Sequence, residues 1–118
     1  MFDPAVIGLL SAPRWLAHFA TEQSIADDNV VIVDSSDSNT EANASQVARF
    51  VRIQVHDAST VLLVSVGNSA SSPPDPNAAS IRIHGQSSEV FQCPPGGRPI
   101  VKLKRVSDTV KYSLLWGK

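Results

Sequence analysis

Apolar and polar residues alternate through four stretches of the chain between residue 49 and the C-terminus. In the first stretch, Val51, Ile53 and Val55 fall on one side of a strand and the polar residues between them fall on the other. Successive side chains of a β-strand point to opposite faces, so a period of two gives each segment one buried face and one wet face. The pattern predicts an all-β module made of antiparallel strands. The four alternating stretches are residues 49–56, 60–66, 80–84 and 109–116.

Three shorter apolar runs add further strands, at residues 29–34, 89–92 and 100–106. The total is about seven or eight strands separated by turns rich in Gly, Pro, Ser and Asp. Residues 56–59 have the length of a hairpin turn, so we expect the strands on either side of them to pair. This number and spacing of strands predicts an antiparallel β-sandwich or jelly roll with an irregular or short-helical N-terminal arm.

The beginning of the chain follows no such alternation. Pro4 and Pro13 bracket one short apolar segment, and Trp15, Leu16 and Phe19 belong to a second, amphipathic one. Helices of two turns are marginal by themselves in water, so both segments need a surface to cover. That surface is either the chain's own sheet or a neighbouring subunit.

This difference in pattern divides the chain into two parts. Residues 1–28 form the arm, and residues 29–118 form the sandwich domain. We expect the sandwich to fold without residues 1–25 and to lose its binding to a partner assembly. A polar, serine-rich stretch at residues 34–46 predicts a loop inside the sandwich domain.

Charge is divided unevenly along the chain. Residues 1–47 carry seven acids and one base, a net charge of −6, whereas residues 48–118 carry nine bases and four acids, a net charge of +5. The acidic segment lies on a basic β-module, its own or a neighbour's, or its acids simply occupy solvated loops. The overall net charge of −1 argues against general affinity for nucleic acid.

Cys93 is the single cysteine, so no disulfide can form within the chain. Small secreted domains are often held by paired cysteines, and folding in a reducing cytoplasm therefore fits best. Nothing near Cys93 in the sequence would stabilise a thiolate, which predicts a buried structural thiol. No run approaches the roughly 18 apolar residues that a membrane span needs, so we expect no membrane contact.

The polar residues form no recognisable catalytic or metal-binding motif. His56 and His84 on neighbouring strands could bind zinc, but no cysteine or acid pair has ligand spacing beside them. His56 and Asp57 are adjacent and therefore point to opposite faces of a strand, which places them poorly as a catalytic pair. Gly96 and Gly97 lack the spacing and the following helix of a phosphate loop. We expect no enzymatic activity, no cofactor and no bound metal.

Basic residues form a stripe on the later strands. Lys102 and Lys104 share one face, and Arg52 and Arg82 are expected to join them. The stripe is a solvated face, a contact for an acidic protein, or a contact for phosphates.

Aromatic residues are few. Tyr112 and Trp116 share a face of the last strand with apolar neighbours, which favours a core or subunit-interface position over a sugar-stacking platform. A loop with three prolines at residues 67–77 is extended and exposed, and it is a candidate contact site.

Five segments of residues 48–118, together with the loop between the second and third, give six features in a definite order: a strand, an apolar hairpin, a Pro/Ser loop, a strand, a Pro-Gly-Gly turn and a final Thr-Val-Lys-Tyr strand. In this order the region resembles small β-sandwich virion proteins of tailed bacteriophages, which act as capsid cement, decoration and accessory head proteins. The resemblance implies a homo-oligomer, dimer or trimer, that sits on a capsid shell and bridges major capsid proteins. The five segments are residues 50–55, 61–68, 79–83, 89–97 and 108–116.

We therefore expect a virion structural protein, a cement or decoration subunit on the capsid surface that is assembled in the host cytoplasm. Its partner would be the major capsid protein, and neither nucleic acid nor membrane. The alternative is a receptor- or glycan-binding module of a tail or fibre. The candidate contact residues come from the arm, the proline-rich loop and the basic stripe: Val6, Ile7, Leu10, Trp15, Leu16, Phe19, Pro73, Pro74, Pro76, Lys102 and Lys104.

Overall fold

A computed structural model of the chain describes residues 14–16, 22–37 and 44–118. Within these residues it contains eight β-strands and one short helix. The strands predicted from alternation are all present, and β1 is a strand that the sequence pattern did not reveal. In chain order the elements are β1 (Gln23–Ile25), β2 (Val31–Asp34), α1 (Ala44–Val47), β3 (Phe50–Val55), β4 (Val61–Asn68), β5 (Ile81–His84), β6 (Ser87–Gln92), β7 (Pro99–Arg105) and β8 (Val110–Gly117).

The strands form two four-stranded antiparallel sheets. Sheet 1 has the order β1-β8-β3-β6, and sheet 2 has the order β2-β7-β4-β5. The pairings nest inside one another, with β1 on β8, β2 on β7, β3 on β6 and β4 on β5. This is the winding of one long hairpin rolled over itself, the eight-stranded jelly roll. The predicted all-β sandwich is confirmed, and its topology is that of a jelly roll.

The core lies between the two sheets and follows the alternation in the sequence. In β3, the three residues Val51, Ile53 and Val55 have no exposed surface, and β7 and β8 bury alternate residues in the same way. Trp116 is the largest of the fully buried side chains. The cluster is almost entirely aliphatic and aromatic, so its burial provides the main driving force for folding.

The predicted hairpin at residues 56–59 is wrong. Strands β3 and β4 on either side of it belong to different sheets. The connection carries the chain across the sandwich, with Ser59 at φ 75° and the Thr60 hydroxyl donating to the Asp57 carbonyl at 2.6 Å. A turn of this length can join two paired strands of one sheet or carry the chain from one sheet to the other. Only the long-range pairing of the strands decides between these two arrangements.

The described residues of the predicted arm lie against the sandwich. Residues 14–16 are extended rather than helical, and Trp15 bridges to Gly117 of β8. Strand β1 lies within the predicted arm, yet it forms the edge of sheet 1, and Leu16 and Ile25 are buried in the core. Removing residues 1–25 would therefore take an edge strand and core side chains with it, contrary to the sequence-based expectation.

Candidate partner-contact surfaces

The outward side of sheet 1 carries an aromatic pair near the C-terminal end of β8. Trp15 bridges to Gly117, and Gly117 in turn pairs with Phe50 of β3. Residues directly opposite one another share a face of the sheet, so two half-buried aromatic side chains flank this glycine. Aromatic neighbours of this kind compensate for the missing side chain of a glycine within a sheet.

A second row of outward side chains lies beside the aromatic pair. Leu115 pairs with Arg52, and Arg52 pairs with Val90 of edge strand β6. Leu115 is half-buried and Val90 is 51% exposed. Arg52 forms no ion pair with any residue that the structure describes. We call the five residues Trp15, Phe50, Arg52, Leu115 and Val90 the open face.

The open face has the composition of a protein-protein contact. Tryptophan, phenylalanine and arginine are enriched at interfaces relative to the rest of a protein surface. The outward side chains at the other end of sheet 1 are polar, among them Gln54, Ser88 and Ser113. The apolar character is thus confined to one end of the sheet, next to the point where the N-terminal segment joins it.

The outward side of sheet 2 is different, because its centre is already buried, whereas Ile32 on edge strand β2 is 61% exposed. Leu63 is 6% exposed although it points away from the core, as its register opposite Lys104 and Arg82 shows. Ser65 and Ile100 also point outward and are also buried. We call the five outward residues Leu63, Ser65, Ile100, Lys102 and Lys104 the covered face.

Ion pairs join strand β7 and the residue before it to acids elsewhere in the chain. Arg98 Nε lies 2.8 Å from Asp34 Oδ1, and Arg105 Nε lies 3.0 Å from Asp28 Oδ1. The Arg98 guanidinium, bonded to Asp34, lowers the pKa of that carboxyl; burial opposes the shift and hydrogen bonds from Ser36 add to it. Acids of the first 47 residues therefore neutralise bases of their own module at these two places.

Lys102, a predicted partner contact, also has a partner within the chain. Its Nζ lies 3.2 Å from Asp75 Oδ1 in the loop between β4 and β5. Lys104 shares its face as predicted, and so does Arg82 through its pairing with Leu63. Arg52 does not join them, because it lies on the other sheet.

Asn68, the last residue of β4, holds the proline-rich loop and the Pro-Pro-Gly-Gly turn. The sequence pattern does not predict this role. The side chain is buried, and its amide nitrogen donates to the carbonyls of Pro94 and Pro95 at 3.2 and 2.9 Å. Its oxygen accepts the backbone N–H groups of Ala70 and Ser71 at 3.0 and 2.6 Å. One amide thereby fixes both the proline-rich loop and the Pro-Pro-Gly-Gly turn. An asparagine that ends an apolar strand just before a proline-rich loop is the only signal that could have revealed it.

The proline-rich loop is built into the domain more closely than an exposed tip would be. Pro73 and Pro76 are buried, whereas Pro74 is exposed. Gly67 lets this loop approach, since a Cβ atom there would lie 2.7 Å from Pro73 Cδ. Of the three predicted proline contacts, Pro74 alone presents its side chain to solvent.

Two of the predicted arm contacts are among the residues that the structure describes, and four are outside them. Trp15 is half-buried on the open face, and Leu16 is 2% exposed in this chain's own core. Leu16 therefore has little surface to offer a partner. Val6, Ile7, Leu10 and Phe19 lie outside the residues that the structure describes.

The residues considered for catalysis are dispersed. His56 lies on sheet 1, where its Nε2 is 2.7 Å from Ser113 Oγ, and His84 lies on sheet 2. Cys93 is buried, and burial raises the pKa of its thiol to about 11, as expected for a structural cysteine. Within the described ranges no three His, Cys, Asp or Glu residues lie close enough together to hold a metal ion.

Tyr112 and Trp116 belong to the core. Trp116 has no exposed surface, and burial raises the pKa of the Tyr112 phenol. Neither ring is available to stack on a sugar. The indole N–H of Trp116 has no acceptor among the described residues.

A shallow groove of about 360 Å³ lies between α1 and the Pro-Pro-Gly-Gly turn. Arg49 is the charged residue among those that line it. Its guanidinium already donates to the carbonyls of Gln46 and Ala48, at 3.5 and 3.3 Å. The groove therefore offers no concentrated charge for a ligand.

No family model, no curated protein and no solved structure matches the chain. Among the described residues, no helix is long and apolar enough to cross a membrane.

Proposed function

We propose that the chain is a non-enzymatic structural protein of a virion, a cement or decoration subunit that binds the head of a tailed bacteriophage and bridges its major capsid proteins. The observation that carries the proposal is the jelly-roll winding of the two sheets. Jelly rolls recur in viral capsid and lectin domains and in cupins. Capsid use is thus one of the roles that this fold serves, and the outward surfaces of the two sheets add support for it.

The open face supports attachment to another protein. It combines two half-buried aromatic side chains, two aliphatic side chains and an arginine without an ion pair among the described residues. Such a surface supplies modest contacts, and many copies on a symmetric shell would add them into stable attachment. The covered face is less suitable, because its leucine is buried and Lys102 is paired with Asp75.

A co-sedimentation assay tests this proposal. Heads assembled from the major capsid protein of the same genome would be mixed with the purified chain and pelleted. We expect the wild type to pellet with the heads and Leu115→Lys to lose at least about tenfold in affinity, since a charge would replace an apolar contact. Gln54→Lys is the matched control, an outward position on the polar end of the same sheet, and should stay within about threefold of the wild type.

The two ways of failing are distinguishable. A wild-type chain that never pellets with the heads would remove the proposed function. Equal binding by Leu115→Lys and Gln54→Lys would keep the function and move the contact away from the open face.

A receptor- or glycan-binding module is the second candidate, and Trp15 favours it. Trp15 is the one tryptophan with exposed surface, since Trp116 is buried. A glycan array would give a signal that Trp15→Ala abolishes if this candidate is right. A blank array would leave the capsid proposal as the better one.

A further inference from the structure

Strand β6 lies at one edge of sheet 1 in the part of the chain that the structure describes. It pairs with β3 on one side, and no described strand lies on its other side. Four of its residues in succession, Ser87 to Val90, are exposed. With six residues it is twice as long as β1, the opposite edge of the same sheet. A strand edge of this length is a template for pairing with another chain.

The hydrogen bonds of β6 show which of its backbone groups are free. The Cys93 N–H donates to the Arg49 carbonyl at 2.7 Å, and the register continues with Gln92 opposite Phe50. Antiparallel pairs alternate between hydrogen-bonded and non-hydrogen-bonded, so Phe91 and Glu89 also turn their backbone groups towards β3. The N–H and C=O groups of Ser88, Val90 and Gln92 therefore point to the free edge.

We propose that this edge pairs with β6 of a second copy of the chain, antiparallel and centred on Val90, to form a dimer with one continuous eight-stranded sheet. A two-fold axis perpendicular to the sheet brings the two strands together in opposite directions and keeps their outward faces on the same side. Val90 then lies opposite Val90 of the second copy, and Ser88 lies opposite Gln92. The three residues with free backbone groups supply about six hydrogen bonds between the chains.

Glu89 selects this register from the others that the free backbone groups allow. A pairing centred on Glu89 would place two like charges directly opposite one another, which is destabilising. A pairing centred on Phe91 would align only residues 90–92 of each strand. In the register centred on Val90, each Glu89 faces a Phe91 ring and no like charge. An inward-pointing charge on an edge strand usually discourages pairing, and here it restricts pairing to one alignment.

The dimer joins the two open faces. Val90 is the outermost residue of each open face, so the two faces would meet at the two-fold axis as one apolar surface. This gives an interface to the homo-oligomer expected under the proposed function, but it does not depend on capsid binding. Five residues from each strand form a small interface, which predicts a weak, concentration-dependent dimer.

Val90→Pro is the decisive variant. Proline removes the Val90 N–H, which points to the free edge, and leaves every hydrogen bond between β6 and β3 in place. In sedimentation velocity from about 10 µM to about 1 mM, the wild type should shift from monomer to dimer and Val90→Pro should stay monomeric. Val90→Thr keeps the N–H and the β-branched shape, and should dimerise within about threefold of the wild type.

A second measurement guards against misfolding of the proline variant. Backbone amide shifts of the wild type should change with concentration at Ser88, Val90 and Gln92, whether or not Val90→Pro folds. A wild type that remains monomeric, a Val90→Pro dimer as strong as the wild type, or shift changes confined to another surface would overturn the proposal. Head binding by a monomeric Val90→Pro chain would leave the proposed function intact.

Discussion

Leu63 and Leu115 occupy equivalent positions on the two sheets, and their surroundings are opposite. Each points outward from an inner strand, with a basic residue directly across from it. Leu63 is 6% exposed on the covered face, while Leu115 is half-buried on the open face. The covered face thus serves the stability of its own chain, and the open face keeps apolar surface that the described part of the chain leaves partly exposed. An outward-facing apolar residue indicates a partner only after the rest of the chain has been placed.

The largest expected effect is a difference in stability between these two leucines. Leu63→Ala should lower the free energy of unfolding by about 2–4 kcal/mol, because it removes a buried side chain and leaves a cavity. Leu115→Ala should cost less than about 1 kcal/mol, because its side chain is only partly removed from water. Chemical denaturation of both variants measures the difference. Equal losses would mean that the two faces do not differ as described.

Asn68→Ala tests whether the proline-rich loop and the Pro-Pro-Gly-Gly turn are held by one side chain. The substitution removes the partner of four partly buried hydrogen bonds, two to carbonyls and two from N–H groups. We expect a loss of about 1–3 kcal/mol in unfolding free energy, since unsatisfied buried polar groups are costly. Hydrogen exchange should rise in both loops together.

Asn77→Ala is the control for Asn68→Ala. Asn77 is an exposed residue of the same loop, and its side chain bonds only to Ala79 within the described chain. The loss of unfolding free energy in Asn77→Ala should be small, and hydrogen exchange in the Pro-Pro-Gly-Gly turn should not change. Independent behaviour of the two loops in Asn68→Ala would contradict the role assigned to this residue.

The smallest expected effect concerns the ion pair of Asp34 with Arg98. Because the folded pKa of Asp34 lies below its ordinary value of 3.8, the pair stabilises the fold above that pH. The contribution is lost as the pH falls through the folded pKa. In Arg98→Gln the Asp34 pKa should rise towards 3.8, and the acid limb of the stability profile should become shallower. A carboxyl NMR titration measures the shift, and Arg105→Gln, which removes the partner of Asp28, should leave Asp34 unchanged.

Alternation and short apolar runs predict seven of the eight described strands. Neither pattern reveals β1. Val51, Ile53 and Val55 are buried as their spacing predicts, and Lys102 and Lys104 face outward together. Strand β1 has three residues, too few for a period of two to be recognised, and its first two residues are exposed. Cys93 was also predictable, because a lone cysteine without a charged neighbour is usually a small buried side chain.

The candidate surfaces were less predictable than the strands. The apolar segment around Leu16, which lacks alternation, predicts a partner contact, yet Leu16 is buried in the core. Lys102 was assigned to an exposed stripe, and its partner Asp75 is 27 residues away in the sequence. Contacts over such distances depend on how the loops return to the sheets, which local pattern does not record.

The sequence by itself determined the class of this fold and the buried side of the strands whose residues alternate. These properties follow from the two-residue period of a strand and from the removal of apolar surface from water. Only the tertiary structure decided that residues 56–60 cross between sheets, that Asn68 joins two loops, and that one outward face is covered while the other is open. A short turn and an outward leucine fit several arrangements locally, and the choice depends on pairings between residues far apart in the chain.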